Sequence, residues 1–293
     1  YHGYPSTGLV VMNADGSDIH CIGFNCGRDL EPVVNTDGRI LFVRLEDFYS
    51  LPKLEFILEA CLPDGTRAEV LYGPERRAFW LKHISNKGSI GPQSGRHRTV
   101  CVSQPQPLDG KRFLINSFCG PVIVGPGRNQ ERILQADDSM AITTPFPIND
   151  TTLLCAAGRR PTKGPGKYDF WKPVNHGLHW MDIKTGNLTL IYDDPKTSEF
   201  EARPLKPRSV PPIRASVSTT RQGAYTGRLY CASIFNTQEK DVNARGRYVR
   251  IVEGMPMVAR HSTHSNAGIA WMNHGGATGR ILGVLPVAPD GSF

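Results

Sequence analysis

The sequence predicts an all-β protein, a β-propeller built of four-stranded antiparallel blades. Three observations carry this. Turns centred on Asp-Gly recur between short apolar runs. A proline-led segment recurs ahead of them. Pairing each such segment with the hairpin that follows gives units of roughly 40 to 60 residues, the span of a four-stranded blade. Among 293 residues, 30 are Gly and 23 are Pro, so turns are frequent and long helices are not expected.

The hairpins come first. Asp15-Gly16, Asp37-Gly38, Asp64-Gly65, Asp109-Gly110 and Asp290-Gly291 are turn signals, and Asn149-Asp150 and Thr185-Gly186 stand in equivalent contexts. Glycine accepts positive φ there, and aspartate bonds the neighbouring backbone. The runs "GLVVMNADGSDIHCIGF", "FILEACLPDGTRAEVLYG" and "LHWMDIKTGNLTLIYDD" each read as two strands around such a turn.

The second kind of segment is "EPVVNTDGRILFV", "PQPLDGKRFLINSF", "PFPINDTTLLCAAG" and, more loosely, "RPLKPRSVPPIR" ahead of "GRLYCASIF". Each opens a blade, with its proline placed before the first ladder bond. The predicted units are 31–72, 100–135, 140–192 and 200–252. Residues 1–27 are expected to form the outer half of an earlier blade, and "RILGVLPVAPDGSF" to begin a further strand pair. The chain is read as one propeller domain over 1–293, of a ring of about five to seven blades that is expected to be incomplete here, and as part of a longer multidomain protein. "LPKLEFILEACL" also fits a helical stripe, but Asp64-Gly65 follows at once with a matching run after it, so a strand is expected.

Composition excludes several classes. No run of about 18 apolar residues occurs, so no membrane insertion by a helix is expected. Net charge is +7, yet Lys and Arg are scattered among 27 acids. The densest basic segment, residues 203–214, is rich in proline and excludes a recognition helix, so no nucleic-acid partner is expected. Seven cysteines stand at irregular intervals without a C-x-x-C, which supports neither a zinc ribbon nor a dithiol site. Cys101, Cys155 and Cys231 fall in strand-like runs as small buried thiols. Cys21 and Cys26 can pair only in an oxidising compartment.

"LVVMNADGSDIHCIGFN" followed by "DLEPVVNTDGRILF" resembles the repeat of the Tol-system periplasmic propellers. With "GLHWMDIKTGNLTLIYDDP", "EARPLKPRSVPPI" and "RILGVLPVAPDGSF" added, the order is similar to the propeller-type middle domain of the hydrazine synthase alpha subunit family. That resemblance spans most of the chain. It implies a bacterial protein that is periplasmic or secreted, and a c-type haem in a neighbouring domain or protein subunit as partner. The chain contains no C-x-x-C-H, so no cofactor is expected within it and hydrazine synthesis is not carried over.

His261, His264 and His274 in "HSTHSNAGIAWMNHGG" are the candidate ligands for a divalent metal, against the reading of a solvated Gly/Asn/Ser-rich loop. His176 and His179 form a second i, i+3 pair; on a strand, His179 would face away from Trp180. "VIVGPGRNQERIL" lacks the third glycine and the helix of a dinucleotide fingerprint, and "GRRPTKGPGKY" has the wrong interval for a phosphate loop and reads as an interblade loop. Arg44, Glu46 and Asp47 at a strand end are candidate binding residues at the axial channel or a rim, against a local ion pair. No G-x-S-x-G elbow occurs. The expected role is a non-catalytic scaffold or interaction domain of a larger exported haem-associated redox protein. The alternatives are a metal-dependent propeller lyase or hydrolase acting on polysaccharide, and a Tol-like interaction module.

Overall fold

Apolar side chains alternating with a period of two along a strand reach both faces of its sheet, and each face then needs a cover. The computed structural model shows how this chain meets that demand. It describes residues 7–23, 28–46, 55–73, 79–80, 83, 102–117, 119–125, 130–135, 138–165, 167–169, 172–216, 229–235, 246–254 and 279–293. They fall into two compact units, one of residues 7–217 and one of residues 1–6 with 218–293. Among the described residues no helix is long and apolar enough to cross a membrane.

The larger unit holds three four-stranded antiparallel sheets in chain order. The first is β3 (Arg28–Val34), β4 (Ile40–Glu46), β5 (Glu55–Cys61) and β6 (Glu69–Tyr72). The second is β7 (Ser103–Pro107), β8 (Phe113–Ser117), β9 (Gly120–Val124) and β10 (Arg132–Ile133). The third is β11 (Met140–Pro147), β12 (Thr152–Arg159), β15 (Gly177–Asp182) and β16 (Leu188–Tyr192). Each is a simple meander of the blade type, and they match the predicted units 31–72, 100–135 and 140–192. A two-stranded sheet, β1 (Val10–Val11) with β2 (His20–Cys21), precedes them. "LPKLEFILEACL" supplies the strand β5, paired with β4 over seven residues.

The sheets stack in sequence order. Leu41, Val43, Leu58 and Ala60 of the first sheet meet Phe113, Ile115, Val122 and Val124 of the second. The alternate residues of the second sheet, Leu114 and Ile123, meet Ile142, Leu153, Cys155 and Met181 of the third. The back of the first sheet, Phe42 and Cys61, is covered by Leu9 and Ile22. Burying one such Leu or Ile contributes about 1.5–3 kcal/mol, against about 0–1 for an exposed ion pair, so these seams decide the stacking. Burial pushes the Cys155 thiol up to about 12 and Cys61 up to about 11, as expected of cysteines serving as small apolar residues.

Three expectations are corrected. The blade-opening prolines do not precede the first strand. They lie inside it, in a bulge that recurs in all three sheets: Glu31-Pro32 face Phe42 alone, Gln104-Pro105 face Ile115 alone, and Thr144-Pro145 face Cys155 alone. A bulge leaves a residue outside the ladder, which suits a residue without an N–H. The "GRRPTKGPGKY" segment is not an interblade loop; it is a short hairpin, β13 (Thr162–Gly164) with β14 (Lys167–Tyr168), inserted within the third sheet. Among the described residues, the predicted unit 200–252 forms no four-stranded sheet. Residues 199–216 form no strand, since Pro204, Pro207, Pro211 and Pro212 remove ladder donors. They cross the turn ends of the larger unit as a strap: Lys206 Nζ donates to Ile148 O (2.8 Å) and Ser216 Oγ to Asp64 Oδ2 (2.7 Å).

In the smaller unit, β17 (Tyr248–Gly254) pairs with β18 (Gly279–Pro286). "RILGVLPVAPDGSF" therefore supplies the second strand of a pair. Its turn at Asp290-Gly291 brings Phe293 back to exchange backbone bonds with Cys231.

Six of the seven turns carry a glycine with φ between 76° and 85°: Gly16, Gly38, Gly65, Gly110, Gly186 and Gly291. Those of Gly16, Gly38, Gly65 and Gly291 share one construction. At the first of them Gly16 N donates to Asn13 O and Asn13 N to Ser17 O, while Asp15 Oδ1 accepts from Ser17 N. This is a type I turn closed by a left-handed residue.

Two of these glycines differ in surroundings. A Cβ on Gly16 would meet nothing within 4 Å, whereas on Gly38 it would lie 2.1 Å from Pro212 O of the strap. We expect Gly16→Ala to cost about 1–2 kcal/mol from the backbone alone, Gly38→Ala clearly more, and Gly38→Val most. Urea melts of the three variants measure this; equal costs at the two sites would show that the strap is not seated on the 35–39 turn.

Candidate functional site

The bulges place side chains at one edge of each four-stranded sheet, because β3, β7 and β11 are the edge strands that begin each meander. Glu31, Gln104 and Thr144 have φ of 52°, 49° and 47°, an uncommon conformation for residues with a Cβ. Glu201, at the start of the strap, repeats it with φ 52°. Such strain persists only where surrounding contacts over-determine it.

Those contacts form a relay. Gln104 N donates to a Glu31 carboxylate oxygen, Thr144 N donates to Gln104 Oε1 (2.7 Å), and Glu201 N donates to Thr144 Oγ1 (3.2 Å). Each bulge thus hands its backbone N–H to the side chain of the bulge before it. Thr143 Oγ1 also donates to Gln104 Oε1 (3.1 Å). The relay ties sheet to sheet through polar bonds beside the apolar seams.

A pocket of about 280 Å³ opens beside the relay. Glu31, Gln104, Thr144 and Glu201 line it with Arg203, Arg208, Gln106 and Phe146. Packing around the Glu31 carboxyl raises its affinity for a proton; the Gln104 N–H opposes this and the Glu201 carboxylate adds to it. Arg203 lies over the Phe146 ring, 4.7 Å from its centroid. Burial lowers its proton affinity, and Arg208 lowers it further while Glu201 opposes.

The binding residues expected from sequence have other surroundings. Arg44 lies in β4 on the covered back of the first sheet. Its Nε donates to Asp29 Oδ1 (2.8 Å) and its Nη1 pairs with Glu59 Oε2 (2.7 Å). The Asp29 and Glu59 side chains are 0% and 6% exposed, so one guanidinium serves two buried carboxylates within its own sheet. Glu46 ends β4 opposite Glu55, and Asp47 lies outside the described residues. His261, His264 and His274 lie outside them as well. Among the described residues no group of three or more His, Cys, Asp or Glu is placed to hold a metal.

His179 pairs with Cys155 and Trp180 with Leu154, so the two side chains do face opposite ways. His179 Nδ1 lies 2.9 Å from Gly177 O. His176 precedes the strand beside the Phe200 ring, where burial lowers its pKa and Arg160 adds to the effect. Cys21 donates its thiol to Gly23 O (2.9 Å), and Cys26 lies outside the described residues.

Sequence reasoning reached the prolines of "EPV", "QPQP" and "TPFP" but not the residues before them. The available signal was a polar residue preceding proline at the opening of three successive units, repeated loosely in "EARP".

No family model and no curated protein sequence matches the chain. Among solved structures the chain is similar to hydrazine synthase of Kuenenia stuttgartiensis, with 17% identity and a TM-score of 0.65. The match covers 94% of this chain and 39% of that one, so this chain spans well under half of the neighbour's length. At that identity the likeness is one of fold.

Two outcomes are expected here. Arg44→Ala should cost about 3–5 kcal/mol, because it strands buried carboxylates; denaturant melts check this, and a cost typical of a surface ion pair would place the two carboxylates in water. Glu31→Gln keeps an acceptor for the Gln104 N–H and removes the charge. A raised carboxyl pKa gives stability that is complete below the unfolded value and lost as pH rises through the folded one. The melting temperature of Glu31→Gln relative to the parent should therefore climb from pH 4 to pH 7. A flat or falling difference would contradict desolvation of this carboxylate.

Proposed function

We propose that the chain is a β-propeller-type scaffold or interaction domain, without catalysis of its own, belonging to a larger exported and haem-associated redox protein resembling the hydrazine synthase alpha subunit. The observation that carries this is the stack of three four-stranded meanders, each covering its neighbour, within a fold that aligns along 94% of the chain to part of hydrazine synthase. Propellers of about four to eight blades close into rings, and the larger unit offers a run of such blades. In this reading the periplasm is the working compartment and a c-type haem sits in a neighbouring domain or subunit. The partner is another protein surface, with neither nucleic acid nor bilayer involved. A metal-dependent propeller enzyme using His261, His264 and His274 is the rival, and a Tol-like interaction module without haem is the third reading.

The chemistry present supports the first reading. Arg44, Asp29 and Glu59 of the first sheet pair with one another, and among the described residues the pocket at the bulges is lined by no cysteine or histidine. Nothing there supplies a nucleophile paired with a base.

The test combines the coding region with metal analysis. A C-x-x-C-H segment encoded in the same longer protein, and purified chain carrying less than stoichiometric metal, are expected. Stoichiometric metal that disappears in His264→Ala would replace this reading with the rival. A stable complex with a partner that carries no haem, from a gene lacking C-x-x-C-H, would replace it with the third.

A further inference from the structure

We propose that the pocket beside the bulge relay binds a small zwitterion, a molecule with an ammonium at one end and a carboxylate at the other. This goes beyond the scaffold reading and does not depend on it. Four charged side chains line the pocket: Glu31 and Glu201, and Arg203 and Arg208. Opposite charges sharing a small space ordinarily pair. These do not. Among the described residues the Glu201 carboxylate and the Arg208 guanidinium have no hydrogen-bond or ion-pair partner. Arg203 donates only to the neighbouring Ala202 O, and Glu31 accepts only from the Gln104 backbone. Charges of both signs sense each other at longer range, Glu201 acting on Glu31 and on Arg203, and Arg208 acting on Arg203.

An inorganic anion would satisfy the arginines and leave the two carboxylates facing each other. A lone cation would do the reverse. A ligand carrying both signs answers both pairs at once. A further group points the same way. Gln106 is 9% exposed, lines the pocket, and its side-chain amide has no partner among the described residues. An amide offers both a donor and an acceptor. A ligand at this position would use them. Phe146 and the bulge prolines Pro32, Pro105 and Pro145 supply apolar walls for the carbon chain between the charges. The volume of about 280 Å³ lies just under the range of about 300–1,000 Å³ seen for drug-sized ligands, which fits an amino acid better than an oligosaccharide. The strained backbone at Glu31, Gln104, Thr144 and Glu201 holds these groups in place before a ligand arrives.

The experiment is calorimetric titration of the full chain. Glycine, 4-aminobutyrate and 6-aminohexanoate present increasing charge separations; butyrate and butylammonium carry one charge each at similar length. At least one amino acid should bind saturably, and each single-charge control should bind more than about tenfold more weakly. Glu201→Gln and Arg208→Gln, both at exposed positions, should keep the parent's circular dichroism spectrum and melt, and each should weaken the best ligand by about tenfold or more. The proposal is overturned if none of the three amino acids binds. It is equally overturned if butyrate binds as tightly as the best of them, which would make this a simple anion site, or if both variants bind like the parent.

Discussion

A sheet with apolar residues on both faces is stable in water only when both faces are covered, and this constraint organises the molecule. No sheet here can meet it alone. The first leans on the second through Leu41, Val43, Phe113 and Ile115, and the second on the third through Leu114 and Met181. Because each strand alternates, one sheet contributes to two different seams, and the sheets must follow one another like leaves. The order of the leaves is then the order of the chain, since consecutive elements usually lie side by side.

The first strands of the sheets face a different problem, since they carry prolines that cannot donate to a ladder. The bulges answer this. With Gln104, Thr144 and Glu201 at positive φ, each turns its backbone N–H toward the preceding repeat, where a side-chain oxygen accepts it. The same twist turns polar side chains toward a shared pocket. Structure and recognition thus come from one local feature: the strain that fastens neighbouring sheets also concentrates unpaired charge in one place.

The covered back of the first sheet shows the contrary use of charge. There Arg44 is shared by Asp29 and Glu59, and its ring neighbour Phe42 lies 5.1 Å away. Those groups are saturated, which suits a structural clamp. The pocket groups are unsaturated, which suits binding. Comparing the two sets within one unit separates charge that holds the fold from charge that remains for a partner.

Much of this was legible in the residues themselves. Asp-Gly turns and alternating apolar runs fixed the strands, the pairing within each blade and the boundaries near 31–72, 100–135 and 140–192, because hairpins are local and their register follows from the turn. Even the ambiguous "LPKLEFILEACL" resolved as a strand for that reason. The position of the prolines inside bulges, the loss of the fourth ladder to the strap, and the fate of Arg44 were decided only by tertiary structure. Each depends on groups far apart in sequence: Pro212 against Gly38, Arg44 against Asp29 and Glu59, Glu201 against Thr144. A local pattern states which residues can form a strand and which way they point; only the assembled sheets determine which charges meet a partner and which are left facing a pocket.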